Sequence, residues 1–135
     1  MIQNTTFLYV EDDPRSREVM KLLMTKAMRV KNLIIFEDSA NFNSRLKDLQ
    51  QRPDVFLLDI HVLPYDGFGM LNMIRQNPDL KEAKVIALTA SVMNEEVDAM
   101  RAKGFDGAIG KPLSMSTFPR LIERIVMNEP VWHVV

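Results

Sequence analysis

The sequence contains no cysteine, and its apolar runs are short. Without cysteine the protein has no disulfide framework, no catalytic thiol and no zinc site built from thiolates. A membrane-spanning helix needs about 20 consecutive apolar residues, which this chain does not offer, and the N-terminus lacks the basic-then-apolar layout of a signal peptide. We therefore expect no membrane insertion and a soluble protein of the cytoplasm.

Charge of neither sign dominates the chain. It has 17 Lys and Arg against 18 Asp and Glu, for a net charge of −1. Nucleic-acid-binding domains usually carry a basic patch or stripe, so we expect no direct contact with nucleic acid. A chain of 135 residues with 47% apolar composition is long enough to bury one core. We predict one domain over residues 1–128 and a tail over 129–135, too short for an output domain.

Short apolar runs alternate with segments of helical period. The predicted strands are residues 6–10, 33–36, 55–58, 85–88 and 107–109. The predicted helices begin at Pro14, near Ser39, after Asp66-Gly67, at Asn94, and at Ser114 or Ser116. In the first helix we expect Val19, Leu22 and Leu23 to face inward. Five strands alternating with five helices predict an α/β fold with a doubly wound parallel sheet.

Four polar residues follow predicted strands: Asp12, Asp59, Thr89 and Lys111. The strand ends of a parallel sheet meet at one edge, so these side chains are expected to share a pocket. Glu11, Asp12 and Asp59 would place three carboxylates close together, and such charges repel unless a cation bridges them. Oxygen ligands without cysteine or clustered histidine favour Mg²⁺ or Mn²⁺.

Asp59 is the predicted nucleophile. It ends the most apolar strand, where an unpaired carboxylate is costly, and carboxylates can form aspartyl-phosphate intermediates. Thr89 offers a hydroxyl and Lys111 an ammonium to phosphoryl oxygens. Each of these residues also has a plainer interpretation. The acidic segment 11–13 and Asp59 could each cap a helix. Thr89 could be an ordinary strand residue, and Lys111 could be a surface lysine.

Four motifs together carry a family resemblance. They are Tyr9-Val10-Glu11-Asp12-Asp13-Pro14, Leu57-Leu58-Asp59-Ile60 with Asp66-Gly67 downstream, Leu88-Thr89-Ala90, and Gly110-Lys111-Pro112. In this order, each at a strand end, they make the sequence resemble the receiver domains of response regulators over residues 6–128. The resemblance implies a flavodoxin-like strand order of 2-1-3-4-5 and a stand-alone receiver in bacterial two-component or phosphorelay signalling.

The same resemblance implies roles for the residues. Asp12 and Asp59 would bind Mg²⁺ directly, the backbone carbonyl of His61 would add a third ligand, and Glu11 would act through water. Asp59 would accept a phosphoryl group from a phosphohistidine of a sensor histidine kinase or histidine phosphotransfer protein. Lys111, preceding a Pro112 whose peptide bond is usually cis in the family, would pair with Asp59. Signalling would then proceed by contact with a downstream target protein.

The chain departs from the family pattern at two positions. Pro64 lies five residues after Asp59 instead of four, and Ala108 stands where a Tyr or Phe commonly acts as a rotameric switch. With no aromatic at residue 108, we expect coupling to run through residues 90–94 and the helix that follows. The sole tryptophan, Trp132, is expected to fold back onto the domain.

Two alternatives remain open on the sequence. A phosphatase of the haloacid-dehalogenase type also uses an aspartyl nucleophile with Mg²⁺, but it wants a second acid two residues later, where this chain has His61. A receiver-like docking module that is never phosphorylated is the other. We expect no enzyme activity beyond self-phosphorylation and self-dephosphorylation.

Overall fold

A six-stranded parallel sheet forms the centre of the protein in the computed structural model, which describes residues 2–90 and 93–133. The spatial order of the strands is β2-β1-β3-β4-β5-β6. Their bounds are Thr6–Val10 (β1), Asn32–Phe36 (β2), Val55–Asp59 (β3), Lys84–Thr89 (β4), Gly107–Gly110 (β5) and Val131–His133 (β6). The predicted order 2-1-3-4-5 is confirmed, and the five predicted strands each lie within one residue of the observed bounds.

Five α-helices cover the two faces of the sheet. They are Pro14–Lys21 (α1), Phe42–Lys47 (α2), Gly67–Gln76 (α3), Asn94–Lys103 (α4) and Phe118–Val126 (α5). Helix α1 continues into a π-helical segment, Leu22–Ala27. Helix α4 ends as predicted at Gly104, whose φ of 108° is a conformation that favours glycine. Among the described residues, every helix is too short or too polar to cross a membrane.

Alternate residues of the central strands supply two apolar cores. Leu8 and Phe56 point into the core that contains residues of α2, α3 and α4, whereas Phe7 and Leu57 point into the core that contains residues of α1 and α5. The period of two residues that separates these sets is that of a strand. Because both faces are covered, β1 and β3 are buried along their whole length, which explains their near-continuous apolar sequence.

The predicted count of five strands is wrong, because the predicted tail adds β6 to the edge of the sheet. Val131 and Trp132 pair in parallel with Gly107 and Ala108 of β5. A Cβ at Gly107 would collide with the carbonyl oxygen of Val131, so glycine permits this close approach. The three residues of β6 are too few for an alternation of apolar and polar side chains to identify a strand. The strand is defined instead by its pairing with β5, which is distant in sequence. The division of the chain at residue 128 stays a prediction.

The inward face of α1 also differs from the prediction. Leu23 is buried as predicted, but Val19 and Leu22 are 47% and 56% exposed, and Met20 is buried instead. The sequence offers two overlapping apolar stripes at helical spacing, and only packing against the sheet selects one of them. Two other helices are shorter than expected: α2 begins at Phe42 instead of near Ser39, and α5 begins at Phe118.

Trp132 connects β6 to α4. Its ring packs against the core that contains Ala108, and the guanidinium carbon of Arg101 on α4 lies 4.6 Å from the ring centroid. The predicted return of Trp132 to the domain is therefore confirmed.

We expect Trp132→Ala to lower the free energy of unfolding by about 1–3 kcal/mol, less than the loss for a fully buried tryptophan because this ring is partly exposed. Urea denaturation measures the change. Met127→Ala is the matched control, since Met127 is 61% exposed and its truncation should change stability by less than about 0.5 kcal/mol. Equal effects of the two substitutions would contradict a structural role for β6.

Candidate functional site

The carboxyl ends of four neighbouring strands meet at one edge of the sheet. In the strand register Val10 lies beside Leu58, Asp59 beside Leu88, and Thr89 beside Gly110. Glu11 and Lys111 are the residues that follow β1 and β5. The parallel register therefore brings together the side chains that the sequence placed after separate strands.

Lys111 joins two of the acidic side chains. Its Nζ donates to Oδ2 of Asp59 over 2.7 Å and to Oε1 of Glu11 over 3.0 Å. The Lys111–Pro112 peptide bond is cis, and the backbone N–H of Lys111 donates to the carbonyl oxygen of Thr89 over 2.8 Å. This last bond ties the lysine backbone to the end of β4, where the buried Thr89 lies.

Asp59 is buried, with only 6% of its surface exposed, and both of its oxygens are held. Oδ1 accepts the backbone N–H of His61 over 2.9 Å, while Oδ2 accepts Lys111. Burial acts to raise the pKa of Asp59, but hydrogen bonds from Glu11 and Lys111 outweigh burial and lower it. Asp59 is thus an oriented carboxylate in its ionised form. For Lys111, burial lowers the pKa, but the hydrogen bonds to Asp59 and Glu11 and the charges of these two acids together outweigh burial, so the pKa rises.

Glu11 is the more deeply buried acid, at 1% exposed. Its Oε1 accepts the hydroxyl of Tyr9 over 3.1 Å, and its Oε2 accepts the backbone N–H of Asp13 over 3.2 Å. Burial, helped by the neighbouring Asp59, raises the pKa of Glu11 to about 7. Burial also raises the pKa of Tyr9, so this phenol stays a hydrogen-bond donor. The two acids beside Lys111 therefore differ in their affinity for a proton.

The donor set fits a hard divalent cation. Glu11, Asp12 and Asp59 each offer a carboxylate oxygen, and these oxygens lie within 4.8 Å of one another. Glu11 and Asp59 are buried, whereas Asp12 is exposed and can reach an ion from the solvent side. The ammonium of Lys111 pairs with two of these carboxylates, those of Glu11 and Asp59. Oxygen-only ligands with excess negative charge are what Mg²⁺ and Mn²⁺ prefer.

A helix cap and a close backbone contact position the acids and the loop that follows Asp59. Asp13 caps α1, accepting the backbone N–H and the hydroxyl of Ser16 through Oδ2 over 3.0 and 2.7 Å. Helix α3 begins at Gly67, which packs directly against Ile60. A Cβ at Gly67 would lie only 3.0 Å from the Cα of Ile60. The loop that connects Asp59 to Gly67, residues 60–66, includes a cis Leu63–Pro64 peptide bond. The side chain of His61 is exposed in this loop. This position therefore lacks the second carboxylate that a haloacid-dehalogenase phosphatase has two residues after its nucleophile.

Three residues at the site make contacts that the sequence did not predict. Tyr9 donates to Glu11, Arg17 donates through Nη1 to the carbonyl oxygen of Glu11 over 3.0 Å, and Ser39 hydrogen-bonds the loop that follows Asp59. Tyr9 could have been found, since it lies two residues before Glu11 on the same face of the strand. No local signal marks Arg17 or Ser39, because their partners are backbone groups.

The predicted coupling route lies partly outside the described residues. Residues 90–94 include Ser91 and Val92, which the structure does not describe. Ala108 is fully buried, with Trp132 beside it in the strand register. The space beside the methyl group is therefore bordered by an aromatic ring that belongs to β6.

A cavity of about 240 Å³ opens next to Lys111. Arg15, Ser16 and Val19 of α1 line one wall, and Pro112 and Leu113 line the other. The exposed Leu22 extends this apolar surface along the same helix. The surface beside Lys111 is thus mostly apolar, with Arg15 among its lining residues.

Known proteins resemble this chain in sequence and in fold. A polar-differentiation response regulator, DivK of Brucella anthropi, is 33% identical over 76 residues, which are 56% of this chain and 59% of that relative. The chain thus matches little more than half the length of that relative. The signal receiver domain of a DNA-binding response regulator from Colwellia psychrerythraea superposes with a TM-score of 0.79 at 23% identity, covering 92% of this chain and 99% of that one.

A third relative is the receiver domain of a sensor histidine kinase from Pseudomonas aeruginosa, whose structure has a magnesium ion coordinated in its active site cleft. It superposes with a TM-score of 0.75 at 22% identity, covering 89% of this chain and 95% of that one. The haloacid-dehalogenase and docking-module alternatives find no support in these comparisons. The family model of the response regulator receiver domain matches residues 7–125, and the chain belongs to this family.

Proposed function

We propose that this receiver domain accepts a phosphoryl group on Asp59 from a phosphohistidine and passes the signal on by protein contact. The observation that carries the proposal is the environment of Asp59: a buried, ionised carboxylate held by Lys111 and by the N–H of His61, beside two further acids. A purely structural carboxylate would not need Glu11 and Asp12 within 4.8 Å.

Mg²⁺ is the proposed cofactor, with Mn²⁺ as a substitute. Asp12, Asp59 and the backbone carbonyl of His61 would hold the ion, with Glu11 acting through water. The magnesium ion in the Pseudomonas receiver supports this assignment. When bound, the ion offsets the charge of the acids and polarises the phosphoryl oxygens of the donor.

The chain's own residues orient the transfer. An oxygen of Asp59 attacks the phosphorus, the new O–P bond forms as the N–P bond breaks, and the electron pair returns to the donor imidazole, which takes a proton from water. Lys111 already donates to Asp59, and its ammonium is placed to face the phosphoryl oxygens once transfer has occurred. Thr89, buried at the end of β4, would donate its hydroxyl to another of these oxygens.

The proposed donors are a sensor histidine kinase or a histidine phosphotransfer protein in the cytoplasm. Such a donor must bring its histidine to Asp59, and the exposed Val19 and Leu22 with Arg15 surround the approach. We assign the recognition of the donor to this surface of α1. A downstream target protein would read the result, and no enzyme activity beyond self-phosphorylation and self-dephosphorylation is proposed.

Incubation with acetyl phosphate and Mg²⁺ should add one phosphoryl group to the wild type, measured by intact mass. Asp59→Asn should add none, because the amide is no nucleophile, although it keeps nearly the same volume in the pocket. The adduct should be lost in hydroxylamine, as expected of an acyl phosphate. Labelling of Asp59→Asn at the wild-type rate would contradict the assignment of the nucleophile.

Asp12→Asn should raise the melting temperature of the metal-free protein by about 2–4 °C, because it relieves repulsion among three clustered carboxylates. The same substitution should remove the stabilisation by Mg²⁺, which for the wild type reaches about 2.7 kcal/mol at a concentration of 100 Kd. Differential scanning calorimetry in chelator and in Mg²⁺ measures both effects. Asp48→Asn, exposed at the end of α2, is the control. A wild-type melting temperature that is the same in chelator and in millimolar Mg²⁺ would argue against the proposed magnesium site.

Glu18 is exposed on α1 next to Val19 and shares this surface with Arg15. Reversing charge at Arg15 and Glu18 should slow phosphotransfer from a histidine phosphotransfer protein that labels the wild type. We expect a loss of about tenfold, equivalent to about 1.4 kcal/mol. Labelling by acetyl phosphate should be unchanged, because this small donor needs no docking surface. Lys47→Glu on α2 is a charge-reversal control away from the cavity. Equal losses with both donors would show damage to the site instead of to recognition.

A further inference from the structure

The loop that follows Asp59 is fastened to the rest of the protein by Ser39. This serine lies between β2 and α2 and is fully buried. Its hydroxyl donates to the carbonyl oxygen of Tyr65 over 2.6 Å and accepts the N–H of Tyr65 over 2.7 Å. Its backbone N–H donates to the carbonyl oxygen of Leu63 over 3.2 Å. One residue thus makes three hydrogen bonds, and their partners flank Pro64.

The middle of this loop has little apolar anchorage of its own. Leu63 is 71% exposed and Tyr65 is 46% exposed. The ends of the loop are held at the site, since the N–H of His61 donates to Asp59 and the N–H of Gly67 donates to the carbonyl oxygen of Ile60. Val62 is the buried side chain between these ends. The bonds to Ser39 therefore restrain the exposed part of a loop whose first residues touch Asp59.

The type of residue fits this task. A hydroxyl can donate and accept at once, so it satisfies the N–H and the carbonyl of the same residue. Removing the hydroxyl would leave the N–H and the carbonyl oxygen of Tyr65 without this partner, in a loop whose middle side chains are largely exposed. Losing the hydroxyl should then cost order in the loop more than it costs global stability.

We propose that Ser39 is a positioning residue for the phosphoryl-transfer site, acting on Asp59 through the loop 60–66. It restrains Leu63 and Tyr65 directly, and through them the backbone of His61 two residues before Leu63, which supplies the N–H on Asp59 and the carbonyl oxygen assigned to Mg²⁺. This inference rests on the proposed function and adds a residue from a different loop to it. Groups that support metal ligands from outside the ligand set commonly affect metal affinity in this way.

The test compares Ser39→Ala with Ser44→Ala, an exposed serine on α2 that serves as the matched control. Hydrogen exchange of the metal-free proteins should show faster exchange of the Tyr65 amide in Ser39→Ala alone. Calorimetric titration with Mg²⁺ should show a dissociation constant raised about tenfold, the lower end of the loss expected for a supporting residue. The melting temperature of the metal-free variant should stay close to that of the wild type.

Two results would overturn the role of Ser39 while the proposed function stands. One is a Ser39→Ala variant that binds Mg²⁺ as tightly as the wild type. The other is a variant that only melts earlier, with unchanged exchange at Tyr65 and unchanged Mg²⁺ affinity, since that is the behaviour of a structural serine. A wild type that neither binds Mg²⁺ nor accepts a phosphoryl group from acetyl phosphate would overturn the proposed function, and this role with it.

Discussion

The ammonium of Lys111 lies between the buried carboxylates of Asp59 and Glu11, 52 and 100 residues away in sequence. Two acids at the end of a buried sheet are tolerable only if a positive charge and hydrogen-bond donors replace the water they lose. The parallel sheet supplies this arrangement because every strand ends at the same edge. The N–H of His61, the hydroxyl of Tyr9 and the N–H of Asp13 complete it.

Lys111 leaves the charge of the site only partly balanced. The third acid, Asp12, is exposed at the same place, and its carboxylate adds repulsion that a divalent cation would relieve. A site with this unbalanced charge is less stable than a fully neutralised one. Such a loss of stability is common at sites whose function requires a charged ligand to bind. Under the proposed function, the metal ion is the partner for which this imbalance is kept, and the ion and Lys111 together would then face the negative charge of the phosphoryl group. Ser39 belongs to the same arrangement, because it restrains the loop that holds the second oxygen of Asp59.

The far edge of the sheet holds one of the two departures of this chain from the family pattern. Ala108 replaces the usual aromatic on β5, and β6 places Trp132 beside it. The indole contacts Arg101 on α4, so the helix that follows Thr89 in the chain is linked to the C-terminal strand. The methyl of Ala108 cannot rotate as a tyrosine or phenylalanine would. Under the proposed function, a response of this face to Asp59 would involve movement of backbone segments and of their packing against Trp132.

The sequence pattern by itself determined the fold class and the residues gathered at the strand ends, because strand period, strand-end position and residue chemistry are local properties. The order of five strands followed from the family resemblance and not from the pattern, because strand order depends on long-range pairing. The sequence did not determine which apolar stripe of α1 is buried, since Met20 and Val19 both fit a helical period. Nor did it reveal β6, the bonds from Ser39 to Tyr65, or that from Arg17 to Glu11. Only the tertiary structure decided these, because each depends on a backbone group or a surface brought close by folding, and backbone partners leave no mark in the sequence.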